Sequence, residues 1–167
     1  MANILYLVHR LPFPPDKGDK VRSYHLLRHL VARHRVFLGT FIDDPDDLRH
    51  LPAVRELCAE VCAPQLEPIW SRVRSLAGLV RQEPLTLAYY RRPEMKTWVA
   101  SVSSRHAIDC TIVFSSSMVQ YAEGVPGPRL VDFLDVDSAK WSEYAGRHAW
   151  PMSWLYSRES ARLLDYE

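Results

Sequence analysis

Three stretches of this chain carry side chains with chemistry to offer. The first runs from Leu11 to Leu30, LPFPPDKGDKVRSYHLLRHL, where Pro12, Pro14 and Pro15 deny the backbone regular hydrogen bonding before a basic helix begins. A loop this long inside a compact chain is more often functional than filler. The helix is predicted to start near Asp19 or Lys20, and the amide groups of a helix N-terminus favour an anion. Lys17, Lys20 and Arg22 supply charge for phosphate contacts, and Gly18 lets the backbone approach a ligand closely. The plainer alternative is a solvated basic loop, because the G-x-G-x-x-G of a dinucleotide site is missing.

The second stretch is Ser115, Ser116 and Ser117, hydroxyls that follow an apolar run and could bind a polar ligand or cap a helix. The third is FLDVDSAKWSEY, in which Asp135 leaves a strand and Asp137 lies two residues on. Two hard oxygens at that spacing suit a divalent cation. Capping of the next helix by Asp137 or Ser138 explains the same residues more simply. Lys140 on that helix is a further binding candidate, and Asp135 a candidate for catalysis.

Histidines and cysteines narrow the field. His9 follows the first apolar run directly, which makes it a candidate base or hydroxyl ligand. His25 and His29 share one helix face at a zinc-compatible spacing, but no third ligand accompanies them, and an exposed basic face is the expectation. Cys58, Cys62 and Cys110 form no zinc pattern and read as buried thiols. No metal site is predicted.

These groups need elements to position them. Short apolar runs at Asn3–Val8, Arg35–Ile42, Glu60–Gln65, Asp109–Ser116 and Arg129–Asp135 read as strands. Between them, helical periodicity covers Val21–Arg33, the residues after the acidic turn DDPDD, Pro68–Gln82 and Pro93–His106. A short helical turn is expected at Met118–Ala122, and helices at Ser138–Ala149 and Ser153–Glu167. In the first helix Val21, Tyr24, Leu27, Leu30 and Val31 mark the predicted apolar face. Strands alternating with helices imply an α/β fold, a Rossmann-like parallel sheet flanked by helices. Ligands then gather beyond the carboxyl ends of the strands, where all three stretches belong.

The 167 residues suggest one domain with a sizeable core. A net charge of +1 provides no global field for nucleic acid or anionic lipid, so no nucleic-acid partner is expected. No apolar run approaches the ~20 residues of a membrane span. Asn3–Val8 is too short for a signal-peptide core, so a cytoplasmic location is expected, with room for peripheral contact at the inner face of a membrane. The last helix stops at Glu167 without a cap or closing strand and reads as the interior of a longer protein.

The segment ILYLVHRLPFPPDKGDKVRSYHLLRHLVARHRVFLGTF resembles the start of a GT-B glycosyltransferase of family 4. More narrowly, PPDKGDKVRSYHLLRHL together with VDFLDVDSAKW resembles the sugar transferases of bacterial PEP-CTERM/exosortase exopolysaccharide systems. The resemblance implies the N-terminal, acceptor-side half of a two-domain enzyme, residues 1–167, whose partner would be a C-terminal donor-binding domain of the same protein. It implies a nucleotide-sugar donor, a glycan or lipid-linked acceptor, retention of anomeric configuration and no separate cofactor. It places Gly18 where the family often has a glycine pair, in a loop that can approach the donor diphosphate. Relatives often carry a histidine after the fourth strand, where this chain has Ser115, Ser116 and Ser117. Two other classes compete: a GT-A enzyme with Asp135-Val136-Asp137 as a metal-binding D-x-D motif, and a non-catalytic Rossmann module holding a ribose on Asp43 and Asp44.

Overall fold

A computed structural model describes residues 1–67, 71, 75, 77–133 and 137–167. The chain divides into two compact units. The first comprises Met1–Glu67 and Arg92–Asp132, the second Pro68–Arg91 and Phe133–Glu167.

The first unit is an α/β layer structure around a five-stranded, all-parallel, Rossmann-like sheet. Its strands are β1 (Asn3–Val8), β2 (Arg35–Gly39), β3 (Glu60–Cys62), β4 (Cys110–Phe114) and β5 (Arg129–Asp132). Their spatial order is β3-β2-β1-β4-β5. Parallel neighbours need crossover connections. These are supplied by α1 (Gly18–Val31) between β1 and β2, by a 3-10 turn (Pro45–His50) and α2 (Leu51–Leu57) between β2 and β3, and by a short α6 (Val119–Ala122) between β4 and β5. Helix α5 (Pro93–Arg105) precedes β4.

Central position explains the composition of β1. It pairs with β2 on one side, Ile4 opposite Val36, and with β4 on the other, Ile4 opposite Cys110. Leu5, Tyr6 and Leu7 are fully buried, and each buried leucine contributes about 1.5–3 kcal/mol. Gly39 ends β2 because α5 packs there: a Cβ would lie 2.7 Å from Leu7 Cδ2 and 3.0 Å from Met95 Sδ. The strands are shorter than the apolar runs suggest. β2 stops at Gly39, although Ile42 still bridges Gln65, and β5 stops at Asp132.

The buried face of α1 is rotated from the predicted one. Lys20, Ser23, Leu27 and Leu30 face inward, while Val21 is exposed and Tyr24 and Val31 are half-buried. Apolar periodicity missed this because a lysine occupies a core position, which requires a compensating charge.

The second unit is helical. It contains α3 (Ala77–Val80), α4 (Leu85–Tyr90), α7 (Asp137–Arg147) and α8 (Met152–Tyr166). Two consecutive residues of α8 serve the ends of its neighbours. Arg158 donates to the carbonyls of Gly78 (3.0 Å) and Glu83 (3.3 Å), and the buried carboxylate of Glu159 accepts from the amides of Leu85 (2.7 Å) and Thr86 (2.8 Å). Cation at a helix C-terminus and anion at an N-terminus are what unsatisfied end groups and the helix dipole favour. Among the described residues no helix is long and apolar enough to cross a membrane.

Candidate functional site

Strand order reverses at β1. The chain runs outward through β2 and β3 on one side, then returns to place β4 and β5 on the other. The crevice at such a switch point, beyond the carboxyl ends of the strands, is where open α/β sheets bind ligands. Here it lies between the exits of β1 and β4, which brings together the loop after Val8, the first turn of α1 and the turn after Phe114.

His9 leaves β1 with 17% of its side chain exposed and stacks on Phe114, the last residue of β4, with ring centroids 6.3 Å apart and planes within 6°. Its Nε2 lies 3.5 Å from the Asp19 carboxylate on the first turn of α1. Arg10 reaches the same carboxylate at 3.2 Å and Asp43, beyond β2, at 2.7 Å. The hydrogen bond from His9 holds the Asp19 carboxyl well below the usual carboxylate range, and Arg10 adds to this against the opposing cost of burial. Asp19 is therefore an anion at any ordinary pH, and it orients the imidazole beside it.

The cations of the opening loop are mostly committed. Lys20 is 1% exposed, and its Nζ lies 2.7 and 2.9 Å from the two oxygens of buried Asp47 in the 3-10 turn. Asp16 stands at 3.6 Å from the same ammonium. Lys20, expected to supply charge for phosphate contacts, is instead a core residue whose ammonium is taken by Asp47 and joins α1 to the next crossover. Arg22 pairs with Asp132 at the end of β5 (2.8 Å). Lys17 remains exposed at the N-cap of α1 and forms no ion pair among the described residues. Gly18 is the first residue of α1, where an added Cβ would meet nothing within 4 Å. It has no positive φ, so neither backbone strain nor crowding by the described residues requires a glycine there.

The exit of β4 differs in kind. Ser115 has φ 90° and ψ 140°, a region that costs a non-glycine residue about 1–3 kcal/mol. Its amide donates to the Asp132 carbonyl (3.1 Å), its carbonyl accepts from the Met118 amide (3.2 Å), and its hydroxyl meets that of Ser117 at 3.0 Å. Ser116 and Ser117 are buried at the start of the 3-10 turn Ser116–Met118. Below them the Tyr6 hydroxyl donates to the Ser23 carbonyl at 3.2 Å. Burial pushes that phenol far above its ordinary value, so it donates and does not titrate.

Of the predicted site residues, the structure thus brings His9, Arg22, Ser115 and Ser116 to one edge of the sheet, with Lys17 and Gly18 at the start of α1. Asp135 lies outside the described residues. Asp137 begins α7 and Lys140 is exposed on it, both in the second unit. Ser138 is the second residue of that helix, and its hydroxyl donates to Glu167 at 2.6 Å. Asp43 and Asp44, the candidate ribose ligands, are engaged elsewhere, Asp43 with Arg10 and Asp44 in accepting from the Asp46 amide (3.1 Å). Sequence reasoning missed the partners Asp19, Asp47 and Asp132. The acidic cluster DDPDD was an available signal for Asp47 alone.

His25 and His29 are exposed on α1, as expected of a basic face. The three cysteines are free and half-buried, and burial pushes the Cys58 and Cys62 thiols up to about 12, which leaves them protonated and inert. No group of three or more histidines, cysteines or carboxylates is placed to hold a metal ion among the described residues. Comparison of the chain with known proteins finds no matching family model, no matching curated protein and no matching solved structure.

Proposed function

We propose that the chain is the acceptor-side half of a GT-B glycosyltransferase, working in the cytoplasm on exopolysaccharide synthesis. In this reading a sugar passes from a nucleotide-sugar donor to a glycan or lipid-linked acceptor. The observation that supports it most is the imidazole–carboxylate pair His9–Asp19 at the switch point of a β3-β2-β1-β4-β5 sheet. Sugar transfer asks a hydroxyl to lose its proton, and an imidazole held by a carboxylate is suited to receive it. The neutralised cations around it point the same way. With Arg10, Lys20 and Arg22 each matched by a carboxylate, the surface suits the hydroxyls of an acceptor better than a bare diphosphate. The motif resemblance supplies the rest.

The competing nucleotide module loses support because Asp43 and Asp44 already have other partners. The test is a titration of the protein with unactivated saccharides, nucleotide sugars and free dinucleotides, followed by NMR. Saccharide-induced shifts at His9 and Ser116, lost in His9→Ala, are expected. Tight dinucleotide binding without saccharide binding would overturn the reading. Because catalysis depends on positioning donor against acceptor between two walls, residues 1–167 alone are expected to transfer no sugar, and turnover by them would defeat the two-domain form.

A further inference from the structure

One pair of side chains in the first unit has no part in the crevice. His25 and His29 lie in the C-terminal half of α1, and both are exposed. Residues four apart on a helix are neighbours on its surface, with Cβ atoms about 5–6 Å apart. At that spacing two imidazoles can share one metal ion, as they do on H-E-x-x-H helices. The other histidines are committed elsewhere. His9 faces Asp19, His34 accepts from the Ala2 amide, His50 accepts from Arg49, His148 meets the Tyr144 carbonyl, and His106 stacks on Phe37. Among the described residues neither His25 nor His29 has a hydrogen-bond or ion-pair partner.

The helix beneath the pair is firmly held. Leu27 and Leu30 are buried, Lys20 is tied to Asp47, and the Ser23 hydroxyl donates to the Asp19 carbonyl at 2.9 Å. Tyr24 meets the His25 ring edge-on, with centroids 5.8 Å apart. The helix dipole accounts for Arg28 and His29, which stand in the last turn, but it fades beyond that turn and leaves His25 unexplained. The surroundings restrict the ion. Asp19, the one acid of α1, is engaged by His9 and Arg10, and Arg28, three residues from His25, is exposed. Calcium and magnesium require oxygen ligands. Neutral imidazole nitrogen suits zinc, copper and nickel.

We propose that His25 and His29 form a chelating surface site for a divalent transition metal of the zinc and nickel class. Each imidazole gives one ring nitrogen, and the remaining coordination positions stay open to water or a small ligand. The two histidines follow Asp19 by six and ten residues, about 9 and 15 Å along the helix axis. The site therefore stands independently of the reading of His9.

The experiment is calorimetric titration of the protein with zinc, nickel and magnesium chlorides, with NMR of the histidine ring protons to locate paramagnetic nickel. Zinc and nickel should bind one ion per chain and magnesium should not bind. Nickel should broaden the His25 and His29 rings together, before any other histidine. His25→Asn and His29→Asn should each weaken binding by about tenfold or more, because the second nitrogen no longer attaches within the same molecule. Both positions are exposed, so melting curves in a chelator should match the wild type. Val21 is exposed one turn before His25. Val21→His in the His29→Asn background rebuilds the spacing there and should restore most of the affinity. Absence of zinc and nickel binding by the wild type overturns the proposal. Wild-type affinity in the single variants also overturns it and moves the ion to a cysteine or another histidine. One ion per two chains overturns it as well, since the metal would then cross-link copies instead of bridging the pair.

Discussion

After β1 the chain carries charge, and after β4 it carries hydroxyls. At the β1 exit the positions are fixed by ion pairs: His9 and Arg10 on Asp19, Arg10 on Asp43, Lys20 on Asp47. At the β4 exit they are fixed by backbone hydrogen bonds and by a serine held at φ 90°. Both loops border the same crevice, yet the first holds its shape through matched charge and the second through backbone hydrogen bonds and a strained dihedral. A lysine-rich motif in the sequence is therefore not the same as positive charge available to a ligand. Breaking each loop in its own manner separates the two designs.

The largest effect is expected at Lys20. Replacing it by Met leaves Asp47 buried without its cation, and removing one partner of a buried pair costs about 3–5 kcal/mol. Asp47→Leu, which leaves the Lys20 ammonium buried alone, should cost a similar amount. The double variant Lys20→Met/Asp47→Leu should recover much of the loss, because a well-packed apolar pair is often no worse than the ions it replaces. Urea unfolding of the three variants measures this, and additive losses in the double variant would show that the two side chains do not act as a pair.

Asp19 comes next, and its effect depends on pH. Its folded carboxyl is held down by His9, below the unfolded value of about 3.9. The stabilisation is then fully present above that unfolded value and fades as pH falls through it toward the lower folded one. Asp19→Asn should cost about 1.5 kcal/mol at pH 7. The gap between variant and wild type should narrow steadily below about pH 4. Urea midpoints measured across the acid range give the comparison directly, and a gap that holds constant in acid would mean the carboxylate charge is not what stabilises.

These two residues also show where the sequence was legible. The inner strands β1, β2 and β4 were readable because a parallel strand buried on both faces leaves a continuous apolar run, as at NILYLV and CTIVF, whereas β3 and β5 are half-buried or exposed. His9 could be located because the apolar run NILYLV stops where β1 does. Lys20 was misread because burial of a charge depends on a partner distant in the chain, here Asp47, and no local pattern records that pairing. The backbone of Ser115 was equally hidden, since its φ is imposed by hydrogen bonds to Asp132 and Met118.

That hidden strain sets the third prediction. Ser115→Ala and Ser115→Gly both delete the hydroxyl that meets Ser117. They differ only in the Cβ that must sit at φ 90°. Alanine normally stabilises relative to glycine through the unfolded chain. Here the order should reverse, with the glycine variant more stable than the alanine variant by about 1 kcal/mol. Melting curves of the two suffice, and the usual order would mean that Ser115 is not strained.

The smallest effect on folding is expected at Lys17, and it is the one that bears most on the site. Lys17 is exposed, forms no ion pair among the described residues, and precedes the first turn of a 14-residue helix. Surface substitutions of this kind change stability by about 0.5 kcal/mol or less, so Lys17→Ala should melt with the wild type. Lys17 nevertheless stands at the N-cap of α1, on which the neighbouring cations Lys20 and Arg22 already have carboxylates. If an anionic group of a ligand enters there, Lys17 is the cation left to meet it, and loss of one charge-assisted contact weakens binding by about 1.5–3 kcal/mol. A neutral acceptor would not register the change. Titrating Lys17→Ala with a charged and an uncharged saccharide therefore separates two outcomes that stability measurements cannot. The proposed acceptor-side role expects unaltered affinity for the uncharged sugar. Equal weakening toward both would mean that Lys17 contacts hydroxyls, and that charge at the β1 exit matters less than the contrast with the β4 exit implies.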